Sequence, residues 1–488
     1  METTLYWVEK INDKVNAVVW GPVMLAFLLL VGVYYTIRLK GFQISRLPLW
    51  FRHTMGSFFR KNNKQEKEKG SITAFQAMTT ALAGAIGTGN IVGVATAITL
   101  GGAGAVFWMW VAALFGMMTV FAENILGVKF RKKNTNGQYV GGPMYYIEQG
   151  LHQKWLSACF CIFCIFASFG MGNMTQANSV AGALQESIGV PPKITGIALA
   201  VLCGLIIFGG IGRIAKVTEK VVPFMAIFFL AGGIAVIAAH ASALPEVFRN
   251  IIEEAFNLKA AAGGAGGCVM ASALKYGVAR GVFSNEAGLG STPIVYAAAD
   301  RANPVEQGMW GIFQVFLDTI VMCTVTALCI LCSGALESGK DGVALSTEAF
   351  SSVFGNGGEY FVAFSTVLFA FATLVSWSYY GERAVEYLGG GKAVALYKAF
   401  YLLAAAFGSV MDLRLVWSLS DTFNGLMAIP NLIALALLSG IVIKETRLYL
   451  EKTPSKPRRR SLREVPSKKI KENRYCPRAI PVKKLGKN

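Results

Sequence analysis

The chain is poor in charge. Asp, Glu, Lys and Arg make up 15% of its 488 residues, whereas apolar residues make up 54%, a balance foreign to ordinary soluble domains. Histidine is scarcer still. His53, His152 and His240 lie far apart, in loops or at helix ends, so imidazole-centred catalysis or a histidine metal site has nothing to build on. Neither HExxH nor GxSxG occurs, and the glycine-rich stretch around residues 84–93 follows no strand and does not spell GxGxxG. Metalloprotease, serine-hydrolase and dinucleotide readings fall away together, and no enzyme is expected. Nine cysteines are present, but most, including the run CFCIFC ending at Cys164, sit in apolar stretches without a nearby His or carboxylate. They read as small packing residues.

What the chain does have is long apolar runs. Eleven candidate membrane spans follow one another at about 18–38, 72–99, 103–128, 155–188, 193–211, 216–240, 268–299, 305–333, 358–385, 391–411 and 415–443, separated by short polar loops. An all-α polytopic membrane protein is expected, with one transmembrane domain over residues 1–450. The first run lacks a charged leader and a small-residue cleavage site, so it reads as a retained helix. Basic residues fall on one side if the chain alternates: Arg38 to Lys69, Lys129 to Lys133, Arg213 to Lys220, Arg383 to Lys392 and the C-terminus. The 334–359 loop on the other side is acidic. The positive-inside rule then puts the N-terminus outside and the C-terminus in the cytoplasm of a cell-membrane protein. The net charge of +18 does not point to nucleic acid, because from Lys444 onward sixteen Lys/Arg face four Glu. Residues 451–488 read as a disordered cytoplasmic tail beside the lipid bilayer.

Two spans carry glycine and small polar residues where lipid depth calls for Leu, Ile and Val. One holds GAIGTGN (84–90) and the other, five spans later, KYGVARGVFSNEAGLGSTP (275–293). With the first span set aside as an extra, two sets of five remain, at about 72–240 and 268–443, each opening on such a helix. An odd number of helices per set inverts the second in the membrane, the pattern of transporters whose site lies at the midplane between inverted repeats. Unwound backbone is tolerated there only when protein, substrate or ion satisfies it. Free N–H groups suit a carboxylate, and free C=O groups suit an amine or a cation. The plainer alternative is that these glycines only let helices pack closely. A pore is the rival for the breaks, although paired interrupted helices favour a closed site over a continuous filter.

Several motifs carry a resemblance. GAIGTGNIVGVATAI (84–98), GGPMYYIEQGL (141–151), GNMTQANSVA (172–181), GVFSNEAGLGS (281–291), SWSYYGERA (376–384) and DTFNGLMAIPNL (421–432) together resemble the alanine/glycine:cation symporter family, the sodium:alanine symporters of bacteria and archaea. The resemblance implies a leucine-transporter-like fold and alternating-access symport of alanine or glycine with Na+, or H+ in a variant of the mechanism. No organic cofactor and no obligate protein partner are implied. It further implies that the N–H groups of Thr88 and Gly89 receive the substrate carboxylate, with the Asn90 amide beside them. The carbonyls of Ala83, Ala85 and Ile86 would face the amine or the cation. Phe283 would wall the pocket, Ser284 and Asn285 sit on the second unwound turn, and Gln176 and Trp377 complete the cavity. Thr373 is the expected hydroxyl ligand of the cation, with Ala83 and Ile86.

Ionisable residues at depth are expensive and functional by default. Glu286, Asp318, Asp421, Lys275 and Arg280 therefore stand out. Glu286 is expected to anchor the second break and Asp318 to pair with a neighbouring helix. Glu123, Glu382 and Arg383, at cytoplasmic ends, are expected to form gate or scaffold pairs.

Overall fold

Thr73 starts the first interrupted helix: its hydroxyl accepts from the Gln76 N–H at 3.0 Å while the Gln76 side chain accepts from the Thr73 N–H at 3.1 Å. This reciprocal cap satisfies two otherwise orphaned donors. Helix then runs over Ala74–Ala85, stops, makes one tight turn over Thr88–Asn90, and resumes over Val92–Gly101. The second interrupted helix runs over Ala265–Asn285 and resumes only for the short stretch Thr292–Tyr296. Between its halves Glu286, Gly288 and Gly290 all take positive φ (60°, 88° and 79°). Glycine does so freely, whereas Glu286 adopts a conformation that costs a residue with a Cβ about 1–2 kcal/mol. Both spans are thus broken, and small-residue packing alone does not account for their glycines.

The computed structural model describes residues 2–58, 71–256, 265–300, 302–411 and 413–452, and 86% of it is helical. Among the described residues six helices are long and apolar enough to cross a membrane: Trp7–Arg38, Gly104–Lys129, Lys154–Ile188, Gly210–Ala239, Pro304–Cys332 and Asn356–Gly408. The pair Val416–Leu437 and Ser439–Lys452, bent by 60°, makes a seventh if taken as one. The expected count of eleven is therefore not reproduced as eleven plain rods. The two broken spans are split, Pro192–Ile207 is a shorter apolar helix, and the spans expected at 358–385 and 391–411 are two helices that meet at a kink at Gly390 (φ 72°, ψ −178°) within Asn356–Gly408. The tail expected from residue 451 lies outside the described residues from 453 on.

Small residues let these helices close on one another, as the lack of a hydrophobic drive between helices in lipid requires. A methyl group on Gly277 would stand 2.4 Å from the Ala105 carbonyl, and one on Gly104 2.6 Å from the Ala255 N–H nitrogen. Two helices also widen locally into π-helical turns, at Gly170–Met174 and at Phe316–Cys323. Such turns gather at functional places because they redirect side chains and loosen carbonyls. A two-stranded antiparallel ribbon, Lys132–Lys133 against Tyr139–Val140, follows the Gly104–Lys129 helix.

Close packing at the π turns gives the first prediction. A methyl group on Gly172 would meet the Trp377 side chain at 2.4 Å. Gly172→Ala is expected to lower stability by about 1–3 kcal/mol, the ordinary range for overpacking. Thermal unfolding of the purified protein in detergent measures it, and an unchanged midpoint would refute the contact.

Candidate functional site

The break in the first span leaves carbonyls that the interrupted helix cannot use. Thr373, on the Asn356–Gly408 helix, points its hydroxyl at them: Oγ1 lies 2.9 Å from the Ala83 carbonyl, 3.5 Å from that of Ile86 and 3.0 Å from that of Phe369. One hydroxyl and the Ala83 and Ile86 carbonyls thus converge at the broken turn, all of them buried. Hard monovalent and divalent cations prefer such all-oxygen surroundings. Gly87 makes the approach possible, since a methyl group there would stand 2.6 Å from Thr373 Oγ1. Ala85 closes the first half-helix and is buried.

The tight turn that follows is held from two sides. The Thr88 N–H donates to Gln176 Oε1 at 3.2 Å, and the Gln176 amide donates to the Met171 carbonyl, in the π turn, at 3.0 Å. Thr88 Oγ1 is buried and has no hydrogen-bond partner, an arrangement that calls for a ligand or water. Gly89 lies against Phe283, and a methyl group in its place would meet that ring at 3.3 Å. Asn90 is engaged within the protein on both ends of its amide. Its Oδ1 accepts from the Gly87 N–H at 3.0 Å, and its Nδ2 donates to Asp318 Oδ1 at 2.8 Å.

Asp318 joins the two breaks. Its Oδ2 accepts from the Ser284 hydroxyl at 2.9 Å and from the Thr319 hydroxyl at 2.7 Å, so one carboxylate on a π turn holds Asn90 of the first broken span and Ser284 of the second. Asn285 donates to Thr319 Oγ1 at 3.1 Å while its own Oδ1 accepts from the Ala287 N–H at 3.0 Å, steadying the turn after it. Glu286 makes a second junction. It accepts from the Trp377 indole N–H at 2.8 Å and from the Ser291 hydroxyl, while the same indole N–H stands 3.3 Å from the Gly84 carbonyl. Trp377 is therefore a strut between the broken spans.

One expected pairing differs. Glu123 joins no ion pair among the described residues; it is fully buried, and its Oε1 accepts from the Gly290 N–H at 3.1 Å and from the Asn431 amide at 2.5 Å. It serves the second break, because the backbone there has lost its helical partners. Glu382 and Arg383 do pair, within a buried group that adds Glu386 and Lys398. Arg280 and Asp421 form a two-bonded pair at 3.3 and 3.1 Å. The guanidinium also lies over the rings of Phe283 and Trp417, 5.5 and 5.7 Å away, and those rings stack on each other with centroids 5.5 Å apart. Above this lid opens a cavity of about 770 Å³, lined among others by Asn16, Thr96, Ser179 and Asp341. It faces the side of the 334–359 loop. Lys275 lies over the ring of Tyr276, 5.4 Å from its centroid.

Trp417 is the site-lining position that the sequence did not single out, because it sits outside every glycine-rich motif. Asp318, expected to pair with a neighbouring helix, does so with both broken spans, through Asn90 and Ser284.

The sequence pattern of the sodium:alanine symporter family matches residues 5–463. The sodium/alanine symporter AgcS of Methanococcus maripaludis is 46% identical over 447 residues, which cover 90% of this chain and 96% of that protein. The probable sodium/glutamine symporter GlnT of Bacillus subtilis is 39% identical, over 90% of each. Among solved structures, MhsT in complex with L-phenylalanine superposes with a TM-score of 0.52 at 13% identity, covering 79% of this chain and 99% of that one. The fold is of the leucine-transporter kind.

Proposed function

Starting from the premise that this chain belongs to the sodium:alanine symporter family, we propose that it carries alanine and glycine into the cell together with Na+ by alternating access. As a member of that family it is a cation-coupled amino-acid transporter that passes the membrane several times, and it is not an enzyme. The observation that carries the finer reading is the meeting of Thr373 Oγ1 with the Ala83 and Ile86 carbonyls at the broken turn. In this reading Na+ sits among those three oxygens. The substrate carboxylate takes the N–H groups of Thr88 and Gly89, displacing Gln176 Oε1 from Thr88, and the Ala85 carbonyl faces the amine. Phe283 packed on Gly89 keeps the space small, which favours a side chain no larger than methyl. Asn90, Ser284 and Asn285 hold the walls, and Trp377 with Glu286 spaces them.

Two halves, at about 72–240 and 268–443, form an inverted repeat in this reading, and the basic face is cytoplasmic with the N-terminus outside. The 770 Å³ cavity is then an external vestibule, and the Arg280–Asp421 pair with Trp417 and Phe283 is its floor. Proteoliposomes test the proposal. Uptake of labelled alanine is expected to saturate, to be competed by glycine, and to stop when choline replaces sodium outside. Undiminished uptake in choline, driven by a pH gradient, would replace Na+ with H+ as the coupling ion. Dissipation of the sodium gradient without accumulation of alanine would make the protein a channel.

A further inference from the structure

The last turn of the second broken span ends on three successive carbonyls that a five-residue helix cannot satisfy by itself. Each has found a partner outside the helix. Arg131 Nη1 donates to the Ala297 carbonyl at 3.1 Å and to the Ala299 carbonyl at 2.5 Å, and the Ile72 N–H donates to the Ala298 carbonyl at 3.3 Å. In return the Asp300 N–H donates to the Ile72 carbonyl at 2.8 Å, so Ile72 and Ala299 form a parallel β-bridge. The start of the first broken span and the end of the second are stitched together by main chain.

Arg131 is itself braced. Its guanidinium lies 3.9 Å over the Tyr139 ring, across the ribbon. Gly141 and Gly142, which end that ribbon, lie so close to the half-helix that methyl groups would meet Ala297 Cβ at 2.6 Å and Ile294 Cγ1 at 2.7 Å. At the other end of the ribbon Asn134 donates to Glu386 Oε1 at 2.9 Å, tying it to the Asn356–Gly408 helix. A cation beside the C-terminal carbonyls of a helix also suits the helix dipole.

We propose that Arg131 is a positioning residue for transport: by capping the Ala297 and Ala299 carbonyls it holds the two broken spans together at the basic face and keeps the site closed there. The inference rests on the alternating-access reading and its orientation. Opening a path to the cytoplasm requires Thr292–Asp300 to leave Ile72, and those are the contacts Arg131 secures. Both oxygens taken by Arg131 lie on the moving half, so losing the guanidinium favours the state in which that half swings away. The vestibule on the opposite face then closes more of the time.

The test uses the full-length protein in nanodiscs, with Arg131→Ala and Arg131→Lys. Hydrogen exchange in the peptides holding the Ile72 and Asp300 amides is expected to rise by at least about tenfold in Arg131→Ala. Labelling of a Thr96→Cys reporter in the vestibule by a membrane-impermeant maleimide should fall several-fold in the same variant, measured against the parent without the reporter. Arg131→Lys, which keeps the charge but loses the planar group that lies over Tyr139, should move both readouts the same way and less. Unchanged exchange at Ile72 and Asp300 would overturn the proposal. So would faster exchange throughout with increased Thr96→Cys labelling, because a merely structural role loosens both faces. If Arg131→Ala does not fold, Arg131→Lys alone decides: opposite shifts at the two faces support the proposal and no shift refutes it. Neither readout uses alanine or sodium, so a failure of the assigned substrate or ion would not be mistaken for a failure here.

Discussion

Asn90→Ala is expected to abolish sodium-driven alanine uptake and to lower stability as well. The Asn90 amide is the link between the unwound turn and Asp318, accepting from the Gly87 N–H and donating to Asp318 Oδ1 at 2.8 Å. Truncation leaves a buried main-chain donor without its partner and removes one of the three side chains that solvate the Asp318 carboxylate. Each unsatisfied buried group costs about 1–3 kcal/mol, more where a charge is concerned. The turn that carries Thr88 and Gly89 loses its anchor at the same time. Asn90→Asp should be as damaging, since a second carboxylate would face the first at hydrogen-bonding distance. Uptake by reconstituted protein, with the melting midpoint measured in parallel, checks both effects. Transport near the parent's rate in Asn90→Ala would remove this side chain from the working of the site.

Thr373→Val should leave the fold nearly intact and weaken sodium binding. The change keeps shape and volume while removing the oxygen that stands 2.9 Å from the Ala83 carbonyl. A lost interaction with a charged ligand is worth about 1.5–3 kcal/mol, so the sodium concentration giving half-maximal uptake should rise about 10- to 100-fold. Maximal uptake at saturating sodium should change much less. A sodium titration of alanine uptake reads this directly. An unaltered sodium requirement in Thr373→Val would move the ion away from the Ala83, Ile86 and Thr373 oxygens.

The breaks themselves were legible because glycine leaves a local mark. GAIGTGN and SNEAGLG depart from the apolar background of their spans, and helix stops at Ala85 and at Asn285 within those motifs. Periodicity was blind to the rest. A π turn at Phe316–Cys323 shifts Asp318 off the face that a regular helix would give it, and nothing in the local sequence announces that shift. Glu123 reads as the end of a span because hydropathy falls there, yet it is buried against Gly290, a partner 167 residues away. The boundary between the two expected spans within Asn356–Gly408 was legible too: of the three glycines at 389–391, Gly390 takes the positive φ that kinks one helix into the next.

Asn90 and Ser284 grip opposite oxygens of the Asp318 carboxylate, one from each broken span. The two broken spans are thereby linked through one side chain. In the proposed alternating-access reading, slippage, in which ions cross without cargo, would need that tether to let go first.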